Sequence, residues 1–304
     1  DSYGNGIKTE RQGDTATTSD DSTAYTVFNP NTTAWIVNKP ARERVYATIM
    51  ASDDGGSNLK KETNFYYDGN NSSLTTPPTK GDLTRLEAKK DASNSVSTYY
   101  TYDTYGNQLT EQDPNGNTTS FTYDATYHAL PVTRTYPAIG GSSLSESYTW
   151  DYGAGKILTE TDVNGQVTEV QYDTFKRPVK IIRPGDSSNS PTILHEYNSW
   201  GTINQEHVKT TQKIGDNPQA SLWTKRYFDG LGRVVQLQAQ GETGKTIVTT
   251  TAFSNRGLTD KEYVSQNLDS SSLNGYKTPD AVWKYTSYLY DGLNRATQTT
   301  KPDN

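Results

Sequence analysis

YTYDTYGNQLTEQDPNGNTTSFTYD, residues 100–124, opens and closes on the same dipeptide, Tyr102-Asp103 and Tyr123-Asp124. Two turn signals lie between them, DTYG at 103–106 and DPNG at 113–116, divided by a short run bearing Leu and Thr. In STYYTYD (97–103), Tyr100 and Tyr102 fall on one face of an extended strand and Thr101 and Asp103 on the other, since strand side chains alternate. An Asp at the first turn position and Gly106 at the fourth, where a left-handed backbone is wanted, specify a type I turn with a glycine bulge. Strand, turn, strand, turn at this spacing is an all-β signature.

The same phrase returns along the chain: YDTYGN at 102, WDYGAGK at 150, YDTFKR at 172, YNSWGT at 197, FDGLGR at 228, FSNRGL at 253 and YDGLNR at 290. YDGNN at 67 and YDATYH at 123 are weaker copies, and DSYGNG at the start reads as a copy entered inside its turn. Spacing runs from 21 residues (102 to 123) to 37 (253 to 290), with the excess in loop-like SSNSP (187–191) and NLDSSSLNG (267–275). A fixed unit with a loose period marks a repeat architecture. The expected fold is an array of antiparallel β-hairpins forming a continuous, curved or spiralling sheet, part of a hollow shell. Residues 1–63 hold a partial repeat and an extended hairpin, with 24–63 lying across the array, and residues 64–304 hold the array itself. TPDAVWKY (278–285) is expected to form one short helical turn. Both ends interrupt a repeat, so the segment is expected to come from a longer polypeptide.

Composition narrows the function. Of 304 residues only 31% are hydrophobic, but 22 are Tyr, whose large ring and polar hydroxyl suit half-buried sheet faces. The 29 basic and 35 acidic residues are well mixed, with net charge −6 and no basic stripe, which argues against nucleic-acid binding. Without cysteine there is no disulfide framework and no thiolate metal site. No apolar run reaches the roughly 20 residues that span a bilayer.

The recurrent acid has two readings. A catalytic carboxylate pair is one; an Asx-turn, in which the carboxylate accepts backbone N–H groups, is the other. Asp103, Asp124, Asp173, Asp229 and Asp291 occupy one slot of one turn, and Asn198 and Ser254, which cannot act as general bases, take that slot in sister copies. Position therefore favours the turn. The leading aromatics Tyr102, Tyr123, Trp150, Tyr172, Tyr197, Phe228, Phe253 and Tyr290 are expected to form a ring ladder down the sheet, and Gly106, Gly201, Gly232 and Gly257 to take the left-handed corner.

Other chemistry is thin. His128, His195 and His207 lack metal-ligand spacing, GETGK (241–245) is an incomplete phosphate loop, and DPNGN lacks the rest of an EF-hand. KKETN (60–64) and RER (42–44) read as solvated charge. The expectation is no catalytic residue, no metal and no cofactor.

At YDTYGNQLTEQDPNGNTTSFTYD, YDTFKRPVKIIRPGD, YFDGLGRVVQ and YLYDGLNRATQT the chain resembles the Rhs/YD-repeat proteins. FDGLGRVV, with WIVNKPARERVYAT (35–48), is similar to the repeat region of insecticidal toxin-complex B components and their salmonella-virulence-type relatives. That resemblance implies a β-sheet shell enclosing a C-terminal toxin, a secreted or cell-surface location, and toxin-complex components and the rest of its own chain as partners. The self-cleavage core of the family is not matched by any residue here. The alternative is an extracellular adhesin or cell-wall repeat protein whose aromatic rows contact glycans, or whose exposed strand edges assemble.

Overall fold

The computed structural model describes residues 1–14, 16–56, 58–91, 93–203, 205–215 and 220–303. Twenty-two strands and one 3-10 turn, at Ser270–Ser272, are formed among the described residues, and every strand pairing is antiparallel. The chain divides into two compact units. One is Asp1–Thr149 with Asp162–Gly165; the other is Trp150–Thr161 with Gln166–Asn304.

In the first unit the strands follow one another edge to edge in chain order. They begin with β1 (Lys8–Arg11), β2 (Ser22–Phe28), β3 (Pro40–Tyr46), β4 (Leu59–Tyr67) and β5 (Leu83–Lys89). Next come β6 (Ser95–Tyr102), β7 (Gln108–Gln112), β8 (Thr118–Tyr123), β9 (Pro131–Thr135) and β10 (Ser145–Asp151). Residues 24–63 do not lie across this array; β2, β3 and β4 pair in sequence like the rest. Positions 63 and 64 both sit inside β4.

The second unit continues the pattern through β11 (Lys156–Thr161), β12 (Val167–Tyr172), β13 (Pro178–Ile182) and β14 (Ile193–Asn198). Then follow β15 (His207–Lys213), β16 (Ser221–Phe228), β17 (Val234–Gln240) and β18 (Lys245–Phe253). Strand β18 forks. Its first half pairs β20 (Gln266–Asp269), and its last residues pair β19 (Thr259–Tyr263), which leads through β21 (Tyr285–Tyr290) to β22 (Ala296–Thr300). TPDAVWKY forms no helix: Trp283 N–H donates to the Asp280 carbonyl in a plain turn, and the 3-10 turn falls earlier, in the serine-rich loop.

Little of the interior is apolar. Among the largest fully buried side chains, Gln236, Gln238, Thr23, Thr246 and Thr250 stand beside Tyr46, Tyr227 and Val248. Buried amides and hydroxyls are tolerable only when hydrogen-bonded. Gln236 Nε2 meets Thr250 Oγ1 (2.9 Å) and the Lys277 carbonyl (2.7 Å), and Gln238 Nε2 meets Gln236 Oε1 and the Gly275 carbonyl, both at 2.8 Å. The segment after β20 thus roofs a polar sheet face through backbone groups.

Candidate functional site: the repeat turns

At Asp103 the hairpin closes as a five-residue loop. Asp103 N–H donates to the Asn107 carbonyl, Gly106 N–H donates to the Asp103 carbonyl, and Gly106 stands at φ +87°. The Asp103 carboxylate accepts the N–H groups of Tyr105 and Asn107, each at 2.9 Å, which is Asx-turn geometry. Asp173, Asp229 and Asp291 repeat this on Phe175 and Arg177, Leu231 and Arg233, and Leu293 and Arg295. Gly232 and Gly257 take the left-handed corner at φ +77° and +79°. Lys176 and Asn294 take the same corner without being glycine, at φ +60° and +66°.

A fifth residue completes the turn. Asn107 Nδ2 returns to the second carboxylate oxygen of Asp103 (2.9 Å), while Arg177, Arg233 and Arg295 do the same through Nε at 2.8, 2.7 and 2.7 Å. These side chains also reach onward. Asn107 Nδ2 donates to the His128 carbonyl, the Arg177 guanidinium lies 4.0 Å from the Tyr197 ring centre, and that of Arg233 lies 4.3 Å from Phe253. Asn107, Arg177 and Arg233, each following the left-handed corner, are therefore links between successive hairpins. The sequence displays them, but only pairing geometry reveals the link.

Two copies that look weak in sequence hold their acids most tightly. Asp124 accepts the N–H groups of Thr126, Tyr127, His128, Ala129 and Leu130, and Asp68 those of Thr79, Lys80, Gly81 and Asp82. Burial alone would raise both pKa values. The converging N–H dipoles outweigh it and hold both below the ordinary carboxylate range, Asp124 far below.

Two copies depart from expectation. Asn198 does not cap its turn: its amide donates to the Glu196 carbonyl, and the bend slides one residue on, with Ser199 at φ +55°, Gly201 at φ +76° and Thr202 N–H on the Ser199 carbonyl. Ser254 keeps the backbone turn, but its shorter side chain does not reach the turn amides and its buried hydroxyl has no hydrogen-bond partner.

The leading aromatics act through their hydroxyls more than through ring stacking. Tyr67, Tyr102, Tyr123, Tyr172 and Tyr197 donate to the carbonyls of Pro40, Leu83, Gln108, Ile157 and Pro178, at 2.9 to 3.1 Å. One rule covers all five. Where β5 and β6 part, Arg85 and Tyr99 are the last backbone pair; the accepting carbonyl lies two residues before Arg85 and the donor three residues after Tyr99. The same offsets hold about Arg42–Asn64, Thr110–Ser120, Thr159–Glu169 and Lys180–Leu194. A β-bulge just before Tyr67, Tyr102, Tyr123, Tyr172, Phe228, Phe253 and Tyr290 skews the end of the strand, whereas Tyr197 makes the same link from a regular strand end. Trp200, in the slipped turn, stacks on both Tyr197 and Phe228, with centroids 6.4 and 6.3 Å apart. Trp150 lies at the end of β10, next to Asp151, whose carboxylate is ion-paired with Lys176.

The repeat acids do not converge on a cleft; each is spent on its own turn. Nor do the histidines. His128 stacks on Tyr105 (4.1 Å), His195 Nδ1 bonds Thr210 Oγ1 (2.9 Å), and His207 Nδ1 donates to the Gln205 carbonyl (2.7 Å). Burial, helped by Arg226, pushes the His195 pKa down. Among the described residues no group of three or more His, Cys, Asp or Glu side chains is placed to hold a metal.

RER and KKETN are solvated charge only in part: Glu43, Lys60 and Lys61 are exposed, but Arg42, Arg44 and Glu62 are engaged. Arg44 Nε donates to Glu62 (2.5 Å), its Nη1 to Asp53 (3.2 Å), and Arg42 joins Asp53 at 3.0 Å. Tyr46 Oη donates to Asp53 (2.5 Å), and Lys89 pairs with Glu62 at 2.9 Å. Alternation puts these groups on one face of β3–β5, where the 47–56 loop brings Asp53 over them.

No family model matches the chain, and no curated protein matches it. Solved structures do. The chain is similar to the crystal structure of TcdB2-TccC3, with a TM-score of 0.68 and 13% identity over 93% of this chain and 20% of that one. For TcdB2-TccC3-TEV the values are 0.67, 12%, 93% and 22%. For TcdB2-TccC3 without its hypervariable C-terminal region they are 0.62, 12%, 92% and 21%. The chain thus spans about a fifth of the length of these structures. At such identity the likeness is one of fold alone: the all-antiparallel β-sheet chain described above shares the fold of a part of TcdB2-TccC3.

Proposed function

We propose that the chain is a wall segment of a secreted β-shell that encloses a polypeptide, with residues 64–304 as the repeat array proper, and that it performs no catalysis. The observation that carries this is the hydroxyl link at Tyr67, Tyr102, Tyr123, Tyr172 and Tyr197, which fastens strands beyond the end of their backbone pairing. A wall one sheet thick has no deep apolar core, so register must come from such links and from bulges. The likeness to TcdB2-TccC3 supports the reading. Cargo and toxin-complex components are its expected partners. Electron microscopy of the native polypeptide that contains this segment is the test: a closed shell with a lumen is expected, and a solid rod or flat ribbon overturns the proposal.

A second reading rests on one observation. The third position of the repeat turns carries an exposed apolar side chain: Tyr105, Phe175, Leu231 and Leu293 are 65, 78, 78 and 75% accessible. Tyr105 and Phe175 would suit an adhesin that stacks on sugar faces, whereas leucine in the same slot suits sugars poorly. Glycan-array binding lost in Tyr105→Ala and Phe175→Ala would favour that reading.

A further inference from the structure

In the first unit a cavity of about 340 Å³ lies between the start of β4 and the end of β5, lined by Arg44, Lys60, Lys61, Lys89 and Lys90 with Glu62 and Asp91. Five cations face two carboxylates, in a chain whose net charge is −6. Both carboxylates are already engaged. Glu62 takes Arg44 on one oxygen and Lys89 on the other, and Asp91 accepts Ser93 N–H, Asn94 N–H and the Asn94 amide. The ammonium groups of Lys60, Lys61 and Lys90 make no hydrogen bond or ion pair with a described residue.

Strand geometry makes this gathering specific. In a regular strand neighbours such as Lys60 and Lys61 point to opposite faces. Here the β3–β4 register passes from Val45↔Lys61 to Tyr46↔Leu59, so Lys60 is the extra residue of a bulge, and both lysines line the cavity. Bulges re-aim side chains in this way and are over-represented beside functional sites. Arg44 also lines the cavity, and its guanidinium is held in place by Asp53 and Glu62. Lys60, Lys61 and Lys90 are exposed, with Asp91 acting on Lys90, and their like charges around one cavity favour an entering counter-anion.

We propose that this cavity binds a small oxyanion of the phosphate or sulfate class carrying two or more negative charges, with Lys60, Lys61 and Lys90 as its charge partners. Its volume is at the lower end of the range of about 300–1,000 Å³ for small-molecule sites, which suits a compact anion. Lysine contributes a point charge with rotatable donors, as phosphate sites use it.

Calorimetric titration of the 304-residue chain with pyrophosphate and with sulfate tests the site, against chloride at matched ionic strength. Saturable one-site binding is expected, tighter for pyrophosphate than for sulfate. Lys60→Ala with Lys61→Ala should weaken it by about tenfold or more, and Lys301→Ala, an exposed lysine outside the cavity, should leave it unchanged. Circular dichroism and the melting temperature check that the double variant folds; should it fail to fold, Lys90→Ala alone carries the same test with a smaller loss. Absence of saturable binding, a response equalled by chloride, or undiminished binding in folded lysine variants would overturn the proposal.

Discussion

The Tyr102 hydroxyl donates a 2.9 Å hydrogen bond to the carbonyl of Leu83, two residues beyond the last backbone pair between their strands. The link takes over where the ladder stops, and four other tyrosines repeat it. Where these five strand pairs splay toward their turns, a side chain replaces the missing rung, so the sheet stays joined there without a deep core.

Removing that rung has a defined cost. Tyr102→Phe keeps the ring and leaves the Leu83 carbonyl without its donor, so a loss of about 0.5–1.5 kcal/mol is expected in urea unfolding. Tyr227→Phe is the control. Its hydroxyl is buried without a partner in a ring that is 1% exposed. Deleting a buried, unsatisfied hydroxyl should leave stability unchanged or raise it. Equal losses in the two variants would show that the hydroxyl links contribute nothing.

The left-handed corner allows a paired test. A Cβ built on Gly106 meets nothing within 4 Å, so Gly106→Val is penalised by the backbone alone, at φ +87°. A β-branched residue there should cost about 1–3 kcal/mol. Lys176 already bears such strain, and Lys176→Gly relieves about 1–2 kcal/mol of it. The same change removes the ion pair to Asp151, a contact worth about 0–1 kcal/mol at the surface. Opposite shifts of the melting midpoint are expected, down for Gly106→Val and up for Lys176→Gly.

How far the sequence carried the fold can be read from these residues. Tyr102, Asp103 and Gly106 announce strand end, cap and corner within five positions, because turn chemistry is local. What stayed hidden is what depends on a partner distant in sequence. Leu83 gives no sign that its carbonyl needs a hydroxyl, and Arg44 looks like solvated charge until Asp53 and Glu62 are brought against it. Asn198 misled because Asn suits several local hydrogen bonds, and here the next residue takes the bend. The fork of β18 was equally silent, since pairing one strand with both β19 and β20 leaves no local mark.

Arg233 tests the fifth turn position. Its guanidinium holds Asp229 through Nε at 2.7 Å and through a second nitrogen at 2.6 Å, while facing the Phe253 ring. Arg233→Lys keeps the charge but loses the planar fork and the stacking surface. The lost ring contact alone should cost about 0.5–1 kcal/mol. In Phe253→Leu the Arg-to-Lys change should cost less, and a double-mutant cycle on chemical unfolding would measure that coupling.

Acid should undo the turns together. Asp68, Asp103, Asp113, Asp124, Asp173, Asp229 and Asp291 all have pKa values below the ordinary carboxylate range: burial opposes the shift, and hydrogen bonds from backbone amides outweigh it, joined at Asp103, Asp113, Asp173, Asp229 and Asp291 by an Asn or Arg side chain. A carboxyl that binds its proton less readily when folded stabilises the fold above its unfolded pKa, about 3.9 for Asp. That contribution fades as pH falls through the folded value. Stability should therefore be flat from pH 7 to about 5 and decline steeply below about 4. Asp124, held by five amides, should lose its proton-free form last. In Asp124→Asn the residue no longer titrates, so the variant should start less stable at neutral pH and lose less on acidification. Denaturant midpoints measured across that range would reveal it, and parallel curves for the two proteins would mean that the Asp124 carboxylate is not held by its turn.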